Sequence, residues 1–201
     1  MGDPWYILNR LRPLVRRIAH LAAGSPGGAS AASLRIARSV EPYVGTSQLI
    51  GRVRQRSSRA GATRWVALHL QRSSNPVHRS ANVFGSEVVA DSTLTTSDVA
   101  HLHWVGDELL SIRQIGRLAA QMPVVWTLHD TWAFTGGDHH PKDEMDIRYR
   151  VGYTKESRLP GDGRVDVDAW VFRRKLRAWK SPMWLVAPST HIMQMAQESI
   201  L

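Results

Sequence analysis

The sequence of 201 residues contains no cysteine. Disulfide frameworks and thiolate metal sites are therefore excluded, and a reducing compartment fits this composition. No run approaches the roughly 18–20 consecutive apolar residues that a membrane-spanning helix needs. Arginines interrupt the apolar residues of the N-terminus, so a signal peptide is not expected. The expected location is the cytoplasm, either free or peripheral on the inner face of the cell membrane.

Several motifs of known chemistry are also missing. There is no G-x-S-x-G elbow for a serine nucleophile. The glycine-rich residues 24–28 are not followed by the Lys-Ser/Thr pair of a phosphate-binding P-loop. Neither the ligand spacing of a zinc finger nor the aromatic pattern of an RNA-binding sheet occurs, so nucleic acid is not an expected partner.

The composition is that of an ordinary globular protein, with 43% apolar and 21% charged residues. The length predicts one domain over residues 15–201, preceded by an N-terminal appendage over residues 1–14. The net charge is +9, and the basic excess lies largely in residues 52–79 and 148–180. Such a surface indicates an anionic partner, either a membrane surface or an anionic substrate.

Strands and helices are expected to alternate in the first part of the chain. A strand over residues 16–22 leads through a glycine turn into a helix that ends near residue 40. A second strand is expected over residues 47–53. Residues 65–70 are interpreted as helix or coil, and residues 82–89 as coil or a short strand.

The central part of the chain predicts a strand–helix–strand unit. Alternation in the strand over residues 98–104 places His101 and His103 on the same face. A helix is expected over residues 107–121, with Asp107 and Glu108 favouring its start through the helix dipole. The apolar run that follows, residues 124–128, is typical of a strand covered on both faces.

The last part of the chain begins with a long polar loop, expected over residues 129–160. A basic amphipathic helix follows over residues 166–180, with Trp170, Leu176 and Trp179 available for burial. A strand over residues 183–187 and a final helix with Ser189 as its N-cap complete the prediction.

These elements predict an α/β fold, namely a Rossmann-like, mostly parallel sheet with helices on both faces. Four of the predicted strands run into glycine-, histidine- or serine-rich segments, which are residues 24–28, 103–106, 129–137 and 188–190. Ligands of an open parallel sheet bind at the carboxyl ends of its strands. The four segments are therefore expected to form one cleft.

The histidines between residues 101 and 140 are compatible with a metal site. A hydrolase of this kind would also need carboxylates at other strand ends, and the turn at residues 24–28 carries none. His101 is deep enough in its strand to be a core histidine bonded to backbone. We therefore assign no metal ligand and keep a metal-dependent hydrolase as an alternative. The residues considered are His101, His103, His129, Asp130, Asp138, His139 and His140.

The adjacent pair His129 and Asp130 favours a role in sugar or phosphate binding. A histidine at a strand end can donate a hydrogen bond to either group, and a neighbouring carboxylate can fix its tautomer or bind hydroxyls. Trp104 and Trp132 could stack on sugar rings near the same edge, and the Thr-Gly-Gly turn at residues 135–137 would allow close approach of backbone. Each of these residues could equally serve as a loop cap, a core side chain or a plain turn.

The stretch from residue 101 to residue 140, HLHWVGDELLSIRQIGRLAAQMPVVWTLHDTWAFTGGDHH, resembles the N-terminal domain of family 4 glycosyltransferases. These are retaining enzymes with two Rossmann domains (the GT-B fold), and the similar members build bacterial exopolysaccharide and capsule. The resemblance also covers the turn at residues 27–29, which opens the first helix, and the closing residues 185–189.

The resemblance implies transfer of a sugar from a nucleotide-sugar donor to a saccharide or lipid-linked acceptor. In that family the N-terminal domain mainly holds the acceptor, the Gly-Gly loop approaches the donor phosphates, and the histidine of the HD pair reaches the donor sugar. The nucleotide sugar is a substrate, and no resident cofactor is expected. The implied catalytic residues are His129 and Asp130, and the implied substrate-binding residues are Gly27, Gly28, His103, Trp104, Trp132, Thr135, Gly136 and Gly137.

Two departures from the family pattern change the expectation. The cysteine cluster that usually follows the TGG turn is missing from residues 138–159. The second Rossmann domain, with its E-x7-E donor-binding motif, is also missing. The chain is therefore expected to be inactive alone, as a fragment, a truncated reading frame or one half of a split enzyme whose other domain is on another chain. A non-catalytic basic adaptor at a membrane surface remains a third interpretation.

Overall fold

The computed structural model describes residues 15–24, 27–51, 75–163 and 165–201. Within these ranges, five strands form one sheet in the order β2-β1-β3-β4-β5, and every neighbouring pair is parallel. The α/β prediction is thereby confirmed. The strands are β1 (Arg17–Ala22), β2 (Thr46–Gly51), β3 (Val99–Leu102), β4 (Val124–Thr127) and β5 (Trp184–Val186).

Helices and short 3-10 turns connect the described strands. None of these helices is long and apolar enough to cross a bilayer. The helices are α1 (Gly28–Val40), α2 (Ser92–Thr95), α3 (Ile112–Gln121), α4 (Arg148–Val151), α5 (Val167–Ala178) and α6 (Thr190–Glu198), and the 3-10 turns are Glu41–Tyr43 and Glu87–Ala90.

The two faces of the sheet differ in character. One face carries small and apolar residues that are all buried, and these are Ala19, Leu21, Ala100, Leu102, Val124 and Trp126. Helix α3 packs on this face, because its buried side chains belong to the same core cluster. The opposite face carries His20, and α1 lies against it, since the Ser47 hydroxyl beside His20 donates to the carbonyl of Ala37 in α1. Helices therefore cover both faces.

The predicted start of the central helix is wrong. Asp107 and Glu108 have φ values of 52° and 61°, which belong to a left-handed turn rather than to a helix. The helix begins at Ile112, after a capping box in which Ser111 and Gln114 satisfy each other's backbone N–H groups. The Glu108 carboxylate instead accepts from the N–H of Phe84, 2.8 Å away. These acids therefore belong to the turn before the helix and not to its first turn.

The buried face of α5 also differs from the prediction. Val171, Phe172 and Lys175 are buried, whereas Trp170 and Leu176 are 42% and 38% exposed. Trp179 follows the helix and packs against the core, as expected. The buried face of α5 thus includes a lysine, whose hydrogen bonds are described below, and excludes two of the apolar residues that periodicity suggests.

The remaining predictions concern the loop after β4, residues 82–89 and segments outside the described residues. The predicted polar loop after β4 contains α4. Its residues 131–139 are all buried, whereas the polar composition of the loop suggests exposure to solvent. Residues 82–89 are coil that enters a 3-10 turn. The appendage at residues 1–14, the segment at residues 65–70 and most of the basic segment at residues 52–79 lie outside the described residues.

Candidate functional site at the carboxyl edge of the sheet

Strands β1, β3, β4 and β5 are parallel, so their carboxyl ends share one edge of the sheet. The polar segments that follow them collect at this edge, as predicted. The chain passes from β1 to β2 on one side and to β3 on the other, and such a switch of direction is where open α/β sheets bind ligands. Gly27, His103 and His129 follow the three adjacent strands β1, β3 and β4.

No side chain among the described residues caps the N-terminus of α1. Gly27 is the N-cap residue, and the first turn contains no acidic residue. Gly27 is extended, with φ at 170°, a conformation that any residue adopts. A Cβ atom at Gly27 or Gly28 would meet no described atom within 4 Å. The described residues therefore place no steric requirement for glycine at either position. A helix N-terminus that lacks a side-chain cap favours an anion.

Four histidines lie together on β1, β3 and β4 or just beyond them. His20 Nδ1 is 3.2 Å from His103 Nε2, and His103 Nδ1 is 3.1 Å from His129 Nε2. His20 Nε2 is 3.0 Å from the hydroxyl of Ser47 on β2. A continuous chain of hydrogen bonds thus crosses four adjacent strands.

His101 lies beside this chain but is not part of it. Its Nε2 is 2.8 Å from the hydroxyl of Thr127, so its partner is a side chain and not the backbone partner that the sequence suggested. Nitrogen atoms of His20, His101 and His103 lie within 4.8 Å of one another, close enough for a metal ion. The rings of His101 and His103 are tilted by 31°, with their centroids 4.2 Å apart. Each of the three rings also has a hydrogen-bond partner in the protein, which is Ser47, Thr127 or another ring of the group.

Burial keeps these imidazoles uncharged at neutral pH. It lowers the pKa of His20 and His101 to about 4 and that of His103 to about 2, because the cation loses its hydration. Burial also lowers the pKa of His129, although the neighbouring Asp130 acts in the opposite direction. Each ring therefore has one N–H donor and one lone-pair acceptor.

Asp130 is bonded to His139 rather than to His129. One carboxylate oxygen is 2.5 Å from His139 Nδ1, and His139 Nε2 is 2.8 Å from the Ser80 hydroxyl. This order of groups is that of a serine hydrolase triad. However, Ser80 is only 6% exposed, and a Cβ at Gly106 would already lie 3.0 Å from the His139 ring. This hydrogen-bonded chain is buried and ties two loops together.

The remaining predicted binding residues differ in how far their side chains are exposed to solvent. Trp104 is half-buried, with its ring centroid 5.5 Å from that of His139. Trp132 is 1% exposed, and its ring N–H donates to the carbonyl of Ser80. Residues 135–137 are buried, and the backbone N–H groups of Gly136 and Gly137 donate to Tyr153 and Asp168 respectively. Trp132 and this turn therefore shape the loop from inside, and their contact with a ligand stays a prediction.

The carboxylates that a metal hydrolase could use are held by protein groups. Arg79 forms ion pairs with both Asp138 and Asp168. Asn75 donates a further hydrogen bond of 2.9 Å to Asp138. Burial raises the pKa of Asp138 to about 6 even though Arg79 opposes this shift. In the described residues this network is separate from the four histidines.

Sequence reasoning missed three residues that organise this region, namely His20, Ser47 and Lys175. One signal for His20 existed, because it lies between the core residues Ala19 and Leu21 in an apolar strand. No local signal marks Ser47 or Lys175, whose partners are distant in the sequence.

Comparisons of this chain with protein-family models, with curated proteins and with solved structures find no match.

Proposed function

We propose that this chain is the acceptor-side, Rossmann-like domain of a glycosyltransferase that uses a nucleotide-sugar donor. The acceptor would be a saccharide or a lipid-linked saccharide. The observation that carries this proposal is the N-terminus of α1, which no described side chain caps. A Cβ at Gly27 or Gly28 would meet no described atom there, so the backbone leaves space for a ligand. This N-terminus lies at the same sheet edge as His103 and His129. A nucleotide sugar has a diphosphate and a hydroxyl-rich ring, which suit a helix N-terminus and an imidazole respectively.

A second domain belongs to the proposal. The three residues of β5, Trp184, Leu185 and Val186, are 62%, 50% and 46% exposed. Apolar strands of parallel sheets are normally covered, so this exposure supports further polypeptide packing there. We propose that a second Rossmann-like domain is that polypeptide, on this or another chain, and that it holds the nucleotide. Sugar transfer by the present chain alone is accordingly not expected.

The net positive charge supports a location of the reaction at a membrane surface. A net charge of +9 would favour peripheral contact with an anionic membrane that carries a lipid-linked acceptor. Binding to liposomes containing anionic lipid should then weaken steeply with salt. Liposome binding without any saccharide binding would instead favour a non-catalytic adaptor.

Saccharide binding tests the proposal directly. Ligand-observed NMR with a panel of methyl glycosides should give saturation transfer from the wild-type chain, and His129→Ala should lose most of this signal. His191→Ala is the matched control, because His191 is exposed on α6, and it should keep the signal. Absence of saccharide binding to the wild type would contradict the proposal. Stoichiometric zinc or manganese that is lost in His129→Ala would favour the hydrolase alternative.

Gly28→Ala tests the role of the glycine turn separately. The new methyl group meets no described atom, so the free energy of unfolding should stay the same or rise by about 0.4–1 kcal/mol. Binding of pyrophosphate or of a nucleotide diphosphate should nevertheless weaken, because the methyl group occupies the space beside the helix N–H groups. Gly116→Ala is the contrasting variant, since its Cβ would lie 2.2 Å from the carbonyl oxygen of Ala178 and should destabilise the fold. Unchanged anion binding in Gly28→Ala would argue against a phosphate site.

A further inference from the structure

The direction of the histidine chain is fixed at its buried end. The Ser47 hydroxyl lies 2.8 Å from the carbonyl oxygen of Ala37, which has no hydrogen to give. The single hydroxyl hydrogen of Ser47 is therefore used in that bond. Ser47 Oγ can then only accept from His20, so His20 carries its proton on Nε2 and leaves Nδ1 as an acceptor.

The same assignment passes along the chain. Since His20 Nδ1 is an acceptor, His103 must donate to it from Nε2. His103 is neutral, so its Nδ1 is an acceptor in turn and receives the Nε2–H of His129. One serine therefore determines the tautomer of three successive rings.

The outer end of the chain faces the ligand edge of the sheet. His129 is half-buried, and no group in the described ranges forms a hydrogen bond with its Nδ1. The carboxylate of Asp130 is engaged by His139 and by the backbone of Trp132, so it does not compete for this nitrogen. The lone pair of His129 Nδ1 is thus the terminus of the chain.

We infer that Ser47, His20 and His103 are positioning residues that hold His129 in its Nε2–H tautomer, with Nδ1 presented as a hydrogen-bond acceptor. The lone pair of Nδ1 accepts a hydrogen bond from a hydroxyl or N–H donor. The tautomer assignment rests on the hydrogen bonds between the rings and on the neutral state of the buried imidazoles. The use of this acceptor toward a sugar belongs to the proposed function.

Histidine tautomers can be read without a ligand, which keeps this test independent of sugar transfer. In protein labelled with ¹⁵N-histidine, long-range ¹H–¹⁵N correlation at pH 7.5 distinguishes protonated from unprotonated ring nitrogens. The spectra should assign Nε2–H to His20, His103 and His129, with Nδ1 unprotonated in each. A proton on Nδ1 of His129 in the wild type would overturn the inference. Zinc bound between His20 and His103, in place of the proton that His103 donates to His20, would also overturn the inference.

Variants separate positioning from folding. Ser47→Ala removes the hydroxyl that sets the direction of the hydrogen bonds along the histidine chain. Both tautomers of His129 should then be populated, so the chemical shifts of its two ring ¹⁵N nuclei should move toward each other. Ser47→Thr keeps the hydroxyl and should retain the wild-type pattern. Thr127→Val is the matched control, because it removes a buried hydroxyl bound to His101 outside the chain. An unchanged His129 pattern in a folded Ser47→Ala protein would overturn the inference.

Discussion

Replacing Lys175 with methionine is expected to lower the free energy of unfolding by about 3–5 kcal/mol. Lys175 lies on α5 and is fully buried. Its ammonium group donates to the carbonyl oxygens of Trp132, Thr135 and Gly136, the last two at 3.1 and 2.8 Å. Methionine has a similar shape but no donor, so three buried carbonyls would lose their partner at once.

The hydrogen-bond partners of Lys175 fit the charged form of its amine, against the effect of burial. Burial lowers the pKa of its amine well below the usual range. Three carbonyl acceptors nevertheless match the three N–H donors that only the ammonium form supplies. The ammonium also lies 3.8 Å from the centre of the Trp132 ring, which adds a cation–π contact. Lys175 therefore anchors the turn at residues 135–137 and the Trp132 side chain to α5.

Denaturant titration of Lys175→Met provides the measurement. Arg177→Met is a matched control from the same helix, because Arg177 is exposed, and its effect should stay within about 0.5 kcal/mol. A loss in Lys175→Met below about 1 kcal/mol would mean that water or other groups replace the lysine, and the anchoring role would be rejected.

Acidification from pH 7 to pH 5 is expected to lower the free energy of unfolding by several kcal/mol. The folded-state pKa values of His20 and His101 are about 4, and that of His103 is about 2, all lowered chiefly by burial. In the unfolded chain these imidazoles take up protons near pH 6.5. Below that pH the unfolded state binds more protons, so stability present at pH 7 is lost as the pH falls toward 4. Each histidine contributes up to about 2 kcal/mol by pH 5.

Asp138 opposes this trend. Its folded-state pKa of about 6 means that the folded protein binds a proton more readily than the unfolded chain does. That uptake stabilises the fold by about 1 kcal/mol over the same interval. The three histidines outweigh it, so the net effect of acid is destabilising.

Chemical denaturation at pH 7 and pH 5 measures this difference. His101→Asn removes one titrating group outside the hydrogen-bonded chain and should reduce the pH-dependent loss by about a third. Equal free energies of unfolding at the two pH values, within about 1 kcal/mol, would show that the histidines are not protected from protonation in the folded state.

Much of the fold could be predicted from local patterns. The limits of β1, β4 and α1 agree with prediction within a residue or two, and Ser189 caps α6 as expected. These features depend on residues close together in the sequence, through alternation, glycine turns and caps. The start of α3 could not be predicted from charge. Asp107 and Glu108 lie in a left-handed turn before the helix, and the Glu108 carboxylate accepts a hydrogen bond from the N–H of Phe84, which is distant in the sequence.

The candidate site divides in the same way. The sequence alone determined that glycines and histidines follow parallel strands, so the edge with Gly27, Gly28, His103 and His129 was predictable. Only the tertiary structure decided the partners, because His20 and His103 are 83 residues apart in the sequence and His20 and Ser47 are 27 apart. Hydrogen bonds are directional and short-ranged, so their partners depend on strand order and register, which composition and periodicity do not contain. The tautomer of His129 is consequently a property of the folded sheet.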